Sequence, residues 1–260
     1  MSAPQAAAEQ PHGTLIGIAL ALTAGYVDTV GFVALFGLFT AHVTGNFVLI
    51  GSELANPSHG VLIKLLAFPA FIVAVAAARL MVVRSEHAGR DAAPGLLVVQ
   101  AVLLVGFMLA GWWALPVEDS SSPLALTAGI LGAAAMGTQN AASRLVWSSL
   151  TPTTVMTGNV TQLVLDLVDM TRAGGSPELQ RRFHKFLWPV FAFGAGAVLG
   201  AFAFRQFSFL ALLLPISLVG GLVPLSRRPL ASTQGSVGPT TKADADRAPN
   251  APGGTSNPPR

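Results

Sequence analysis

Of 260 residues only 10% are charged while 52% are apolar, and the formal net charge is +3. A soluble domain of this length carries far more charge, so the surplus apolar surface requires an apolar solvent. Cysteine is absent, which excludes disulfides, thiolate metal sites and cysteine nucleophiles.

In chain order, the opening segment 1–12 lacks the basic flank of a secretory signal, and the apolar run after it continues too far for a signal core, so the first helix is expected to be retained. Stretches free of Asp, Glu, Lys and Arg follow from Thr29 to Ser52, Ala92 to Val117, Ser120 to Ser143, Leu145 to Leu165, Phe186 to Phe204 and Gln206 to Ser226. Each can approach or span hydrocarbon about 30 Å thick, which takes roughly 20 helical residues. The runs are continuous rather than alternating, which predicts helices and not barrel strands. An all-α, polytopic membrane domain is therefore expected over 13–226. Beyond it, 227–260 holds six prolines and almost no large apolar residue, the composition of a disordered tail.

The basic residues sit mostly in short loops, where topology explains them better than nucleic-acid binding does. Arg79, Arg84 and Arg90 follow one span, Arg181, Arg182 and Lys185 precede another, and Arg227 and Arg228 follow the last. All three sites are expected to face the cytoplasm, whereas the loop from Trp113 to Ser122, with Glu118 and Asp119, is expected on the other side.

The chain also repeats itself. Ala24, Gly25 and Asp28 align with Met136, Gly137 and Asn140 at an offset of 112 residues, and Thr44, Gly45 and Asn46 align with Thr157, Gly158 and Asn159 at 113. The repeats cover about 13–115 and 122–226, a duplication of the kind common in transporters. The predicted elements of the first are a span near Leu15–Leu35 and a short piece near Thr44–Leu54, closing with Leu96–Ala114. Those of the second are a span near Leu124–Trp147 and a short piece near Val155–Val168, closing with Phe209–Ser226. If the short pieces are re-entrant or half-helices, the halves are inverted, with six net crossings and both termini cytoplasmic. The rival is eight full spans in two parallel halves, which positive-inside counting disfavours.

Asp28 lies in the first apolar run, where an ionised carboxylate costs at least about 2.5–3.5 kcal/mol. It is expected either at a proton or cation site or paired inside the bundle. In each Thr-Gly-Asn triplet the threonine is a competent N-cap, and a helix starting there aims N–H groups at whatever precedes it. Two such ends, from Thr44, Gly45 and Asn46 and from Thr157, Gly158 and Asn159, would form a site for a polar or anionic solute; the bland alternative is helix packing by small residues. His42, two residues before the first triplet, adds a titratable group, so a proton relay with Asp28 is open to it, as is a plain buried hydrogen bond. Gln139 and Asn140 stand in the other half where Asp28 stands in this one.

Other features read as structural. Gly194, Gly196 and Gly200 are helix-packing glycines, Trp112, Trp113, Trp147 and Trp188 are interfacial anchors, and Asp166 and Asp169 mark an exit toward water. The histidines lack metal-ligand spacing and no nucleophile elbow is present, so neither cofactor nor enzyme activity is expected, with an intramembrane enzyme as a minor alternative.

The motifs Ala24-Gly25-Tyr26-Val27-Asp28, Gly31-Phe32, Thr40-Ala41-His42-Val43-Thr44-Gly45-Asn46, Met136-Gly137-Thr138-Gln139-Asn140-Ala141 and Thr157-Gly158 resemble the YoaK-like membrane proteins over about Thr14 to Leu225. The resemblance implies a multi-helix protein of the bacterial inner membrane and carries no substrate with it. The functional expectation from the residues is a transporter or permease for a small polar or anionic solute, proton-coupled through Asp28, in the lipid bilayer and compatible with a homo-oligomer. The alternative is a non-transporting scaffold or sensor.

Overall fold

The computed structural model describes residues 11–56, 60–173 and 176–226. Most of the opening segment 1–12 and the whole of 227–260 lie outside them, as do the expectations placed there. Every regular element among the described residues is a helix and none is a strand: α1 (Pro11–Ala34), α2 (Gly45–Ala55), α3 (Val61–His87), α4 (Ala93–Trp113), α5 (Pro123–Leu145), α6 (Met156–Ala173), α7 (Pro177–Phe207), a 3-10 turn (Ser208–Leu212) and α8 (Leu213–Ser226).

Among the described residues, four helical segments are long and apolar enough to cross a membrane: Gly13–Ala34, Val61–His87, Ala93–Trp113 and the stretch Pro177–Ser226 that joins α7 to α8. Helix α5 is not among them, although it has 23 residues. It is rich in Ala and Gly and carries Thr, Gln and Asn, and most of its length is buried against α3 and α4. A helix enclosed by other helices needs small residues for close approach more than it needs hydropathy.

Glycines set the closest contacts. Helix α1 packs along α7 in parallel: a Cβ on Gly196 would stand 2.1 Å from the Leu22 carbonyl oxygen, and one on Gly200 2.6 Å from that of Tyr26. From the other side, a Cβ on Gly25 would meet the Phe193 carbonyl at 2.1 Å. Helix α5 packs along α3 in the same sense, with Gly129 at Ile63 and Gly137 at the backbone of Phe71. Helices α4 and α5 run antiparallel, Gly106 meeting Leu131 while Gln100 bonds Gln139. Gly196 and Gly200 thus pack as expected, whereas Gly194 faces open space.

After α1 the chain turns through Phe36 and Gly37, both at positive φ, and folds back until Thr40 and Ala41 donate to Asp28, six residues before the helix ends. Six helical residues rise about 9 Å, so the returning segment penetrates alongside α1. Helix α2 has 11 residues, roughly 16 Å and too short to cross. It leads back outward, because Lys64 near the start of α3 bonds both Glu53 near the end of α2 and the Phe36 carbonyl just past α1. The ends of α1 and α2 and the start of α3 therefore adjoin. The second half makes corresponding contacts: Asn140 bonds Thr154, Asp166 of α6 bonds Arg182 of α7, and Lys185 donates to the Ser149 carbonyl just past α5.

Several expectations need correction. Helix α6 covers 18 residues rather than a short piece ending at Val168. Helix α7 begins at Pro177, well before Phe186, because the Ser176 hydroxyl accepts from the Leu179 N–H and Pro177 occupies the first turn. Arg79 and Arg84 lie within α3, not after it. Asp166 is fully buried and ion-paired rather than facing water. Trp147 is buried at 2% exposure, so it is a core residue and not an interfacial anchor.

Candidate functional site

Asp28 stands on α1 with a side chain only 6% exposed. Its Oδ1 accepts the backbone N–H groups of Thr40 and Ala41, each at 2.7 Å, and its Oδ2 lies 2.8 Å from His42 Nδ1. The carboxylate thereby serves as the acceptor for a backbone segment without regular structure, which otherwise would bury unsatisfied donors. The His42 side chain is 34% exposed, so within this pair the imidazole is the partner that meets the surroundings. Its Nδ1 is held by the carboxylate, leaving Nε2 as the acceptor in the neutral ring and as a second donor in the charged one.

Both residues line a cleft of about 540 Å³ together with Thr29, Phe32, Phe39, Thr44, Gly45 and Phe193. Its walls come from α1, the returning segment, the start of α2 and, from the second half, α7. Phe193 stands edge-on to the His42 ring at a centroid separation of 5.2 Å, and Phe39 at 6.4 Å. A carboxylate–imidazole pair among phenyl rings offers a hydrogen-bonding, negatively biased spot in an apolar enclosure. That chemistry suits proton exchange and the binding of a donor-bearing or cationic group.

The sequence-predicted residues divide between this cleft and other places. Asp28, His42, Thr44 and Gly45 come together at the cleft. Thr44 precedes α2 as expected, but its side chain makes no cap hydrogen bond. The first N–H groups of α2 are already engaged, Gly45 with the His42 carbonyl, Asn46 with Val43 and Phe47 with Thr44, so this end is not an open anion cradle. Asn46 is fully buried and holds the Phe39 backbone at both N–H and C=O.

Gln139, Asn140, Thr157, Gly158 and Asn159 do not line the cleft. Gln139 is fully buried in a polar cluster that joins three helices: its amide accepts from Gln100 at 2.6 Å and donates to the Leu20 carbonyl and the Thr153 hydroxyl. Asn140 bonds the Thr154 hydroxyl at 2.6 Å, tethering the segment before α6 much as Asp28 tethers the one before α2. Asn159 bonds the Pro152 carbonyl, seven residues back, as Asn46 reaches Phe39. Helix α6 begins one residue before Thr157, which with Gly158 is exposed in its first turn.

Three residues of functional interest were not singled out by sequence. Phe193 lines the cleft beside His42, and only the tertiary pairing of α1 with α7 reveals it. Lys64 and Glu53 form a buried ion pair at 2.6 Å, with the Lys64 side chain fully enclosed. A lone cation just inside an apolar run was the signal available for it.

Among the described residues, regular structure that is all helix, spanning-length apolar helices, close packing at glycines and a polar cluster sealed between helices define an integral membrane protein of the lipid bilayer. A family model described as "Protein of unknown function (DUF1275)" matches residues 16–224, and the chain belongs to that family. It is also similar to the UPF0700 transmembrane protein YoaK of Bacillus subtilis (strain 168), at 29% identity over 220 residues, covering 82% of this chain and 92% of that protein. No solved structure matches the chain.

Proposed function

We propose that the protein is a permease of the bacterial inner membrane for a small polar solute, built from two inverted repeats. Three observations support the inversion. The helices pair across the halves in equivalent ways, α1 with α7 and α5 with α3, each in parallel and each through a glycine at a matched position, Gly25 and Gly137. The asparagines of both triplets reach the carbonyl seven residues back. The ends of α1 and α2 and the start of α3 adjoin, which makes the intervening segment re-entrant and leaves three crossings per half. With α3, α4 and α5 joined by short connections, this order puts the α3–α4 loop and the α6–α7 connection on one side, with both chain ends. By the positive-inside tendency that side is the cytoplasm.

The observation that carries the permease reading is the convergence of Asp28 and His42 on a cleft walled by both halves. Sites at the interface of inverted repeats, formed where helices are broken, are the pattern of secondary transporters. His42 is the proton-carrying group in this reading and Asp28 orients it. The engaged N–H groups of α2 and the neighbouring carboxylate favour a solute with a donor or cationic group over an anion.

The test is proton entry into vesicles containing purified protein and a pH-sensitive dye, under an imposed membrane potential, with a panel of small amines and amino acids. Solute-dependent proton entry that disappears in His42→Ala is the expected result. The absence of solute-dependent entry across the panel, together with no thermal stabilisation of the protein by any member, would overturn the reading. It would favour the scaffold or sensor alternative, which is supported by the tethering role of Asp28 and by the second triplet's lying outside the cleft lining.

A further inference from the structure

The charged residues inside the helical body follow the same duplication as the polar ones. Glu53 of α2 and Asp166 of α6 are related by an offset of 113 residues, as are Phe36 and Ser149. Glu53 bonds Lys64, near the start of α3, at 2.6 Å. Asp166 bonds Arg182, near the start of α7, through Nη2 at 2.6 Å and Nε at 2.9 Å. The carbonyl at the matched turn is held by a lysine in both halves, Phe36 by Lys64 and Ser149 by Lys185. Helices α2 and α6 are thus each pinned by an acid–base pair to the long helix that follows, at the end where the preceding long helix also finishes.

The pairs are not equally closed. The first is sealed, with side-chain exposures of 0% for Lys64 and 14% for Glu53, while in the second Asp166 is at 0% and Arg182 at 49%. In both, one carboxylate oxygen makes the pair, and the other, Oε2 of Glu53 or Oδ2 of Asp166, is buried without a hydrogen-bond partner. A buried pair of that kind holds its geometry by charge attraction yet carries a desolvation cost that separation would relieve. That balance suits a contact made and broken during a functional cycle.

We propose that Glu53–Lys64 and Asp166–Arg182 are two latches, one on each face of the membrane, that hold α2 and α6 closed and control from which side the His42 cleft is reached. The proposal rests on the inverted-repeat permease reading above. The structure then represents a state in which the Glu53–Lys64 face is sealed and the Asp166–Arg182 face is partly hydrated.

The chain contains no cysteine, so Thr29→Cys places a single reporter thiol on the cleft lining. Its labelling rate is measured with a membrane-impermeant methanethiosulfonate reagent in right-side-out and in inside-out vesicles. The neutral double variant Glu53→Gln/Lys64→Met is expected to speed labelling from the face bearing Asn56 by about tenfold, the change that losing about 1.4 kcal/mol of attraction in the closed state produces. Asp166→Asn/Arg182→Gln is expected to do the same from the opposite face alone, and the charge exchange Asp166→Arg/Arg182→Asp to return the rate toward its starting value. Unchanged rates from both faces, or increases from the same face in both variants, would overturn the proposal. Should the Glu53/Lys64 variant not be recovered folded, the Asp166/Arg182 variant decides, since its arginine is already half exposed. Labelling requires no solute. One-sided increases in a protein that moves none of the panel solutes would keep the latches and remove the permease reading, and flat labelling beside solute-linked proton entry would do the reverse.

Discussion

Replacing Asp28 by alanine should destabilise the protein far more than replacing it by asparagine, and the difference follows from its hydrogen bonds. Alanine removes the acceptor of the Thr40 and Ala41 N–H groups, both at 2.7 Å, in a segment that is buried at both residues. Two buried donors left unsatisfied cost about 1–3 kcal/mol each, so the loss should be about 2–6 kcal/mol. Asparagine keeps an oxygen for the two N–H groups and presents its NH2 to His42 Nδ1, which limits the loss to about 1–2 kcal/mol for exchanging charged hydrogen bonds for neutral ones. His42→Ala, by contrast, removes a partly exposed partner and should cost less than Asp28→Ala. Unfolding of purified protein in detergent micelles, followed by tryptophan fluorescence against denaturant, gives the comparison. Equal stability of Asp28→Ala and Asp28→Asn would refute the argument that Asp28 organises the segment before α2.

On α7, Gly196→Ala should lower stability by about 1–3 kcal/mol because its methyl would overlap the Leu22 carbonyl, whereas Gly194→Ala, with nothing near its Cβ, should gain up to about 1 kcal/mol of helix propensity; thermal unfolding in one detergent ranks the two. Asn46→Ala should be the costlier of the two triplet substitutions by about 1 kcal/mol, since Asn46 holds both backbone groups of Phe39 while Pro152 has no N–H to offer Asn159; the same unfolding measurement tests it. Gln139→Leu should destabilise by about 1–3 kcal/mol by stranding the buried Gln100 amide and removing the donor to the Thr153 hydroxyl. The double variant Gln139→Leu/Gln100→Leu should lose less than the sum of its parts, a non-additivity that a double-mutant cycle measures.

What could be read in the sequence was governed by where polar residues interrupt apolar runs. Asp28, His42 and the first triplet are visible for that reason; Asp28, His42, Thr44 and Gly45 line one cleft, while Asn46 is buried on the Phe39 backbone. Helices α4 and α5 are placed closely because charge-free runs lie along them, Ala92–Val117 and Ser120–Ser143. Helix α7 was begun too late, because its first turns are charged and the Ser176-Pro177-Glu178 start signal lies outside any apolar run. Asp166 was misread because an acid near the end of an apolar stretch looks solvated until its partner is known, and Arg182 lies 16 residues away. Phe193 was out of reach altogether. The pairing of α1 with α7 is fixed by backbone approach at Gly25, Gly196 and Gly200, and one sequence does not say which glycines face each other.

The inverted six-crossing arrangement is the claim on which the rest stands, and sidedness tests it most directly. Single cysteines at Asn56, Gly89, Asp119 and Ser176, introduced into this cysteine-free chain, are labelled with an impermeant thiol reagent in intact cells and in inverted vesicles. The account predicts that positions 89 and 176 react only from the cytoplasmic face and positions 56 and 119 only from the other. Labelling of positions 89 and 176 from opposite faces would contradict it, and would replace the inverted repeats with parallel halves.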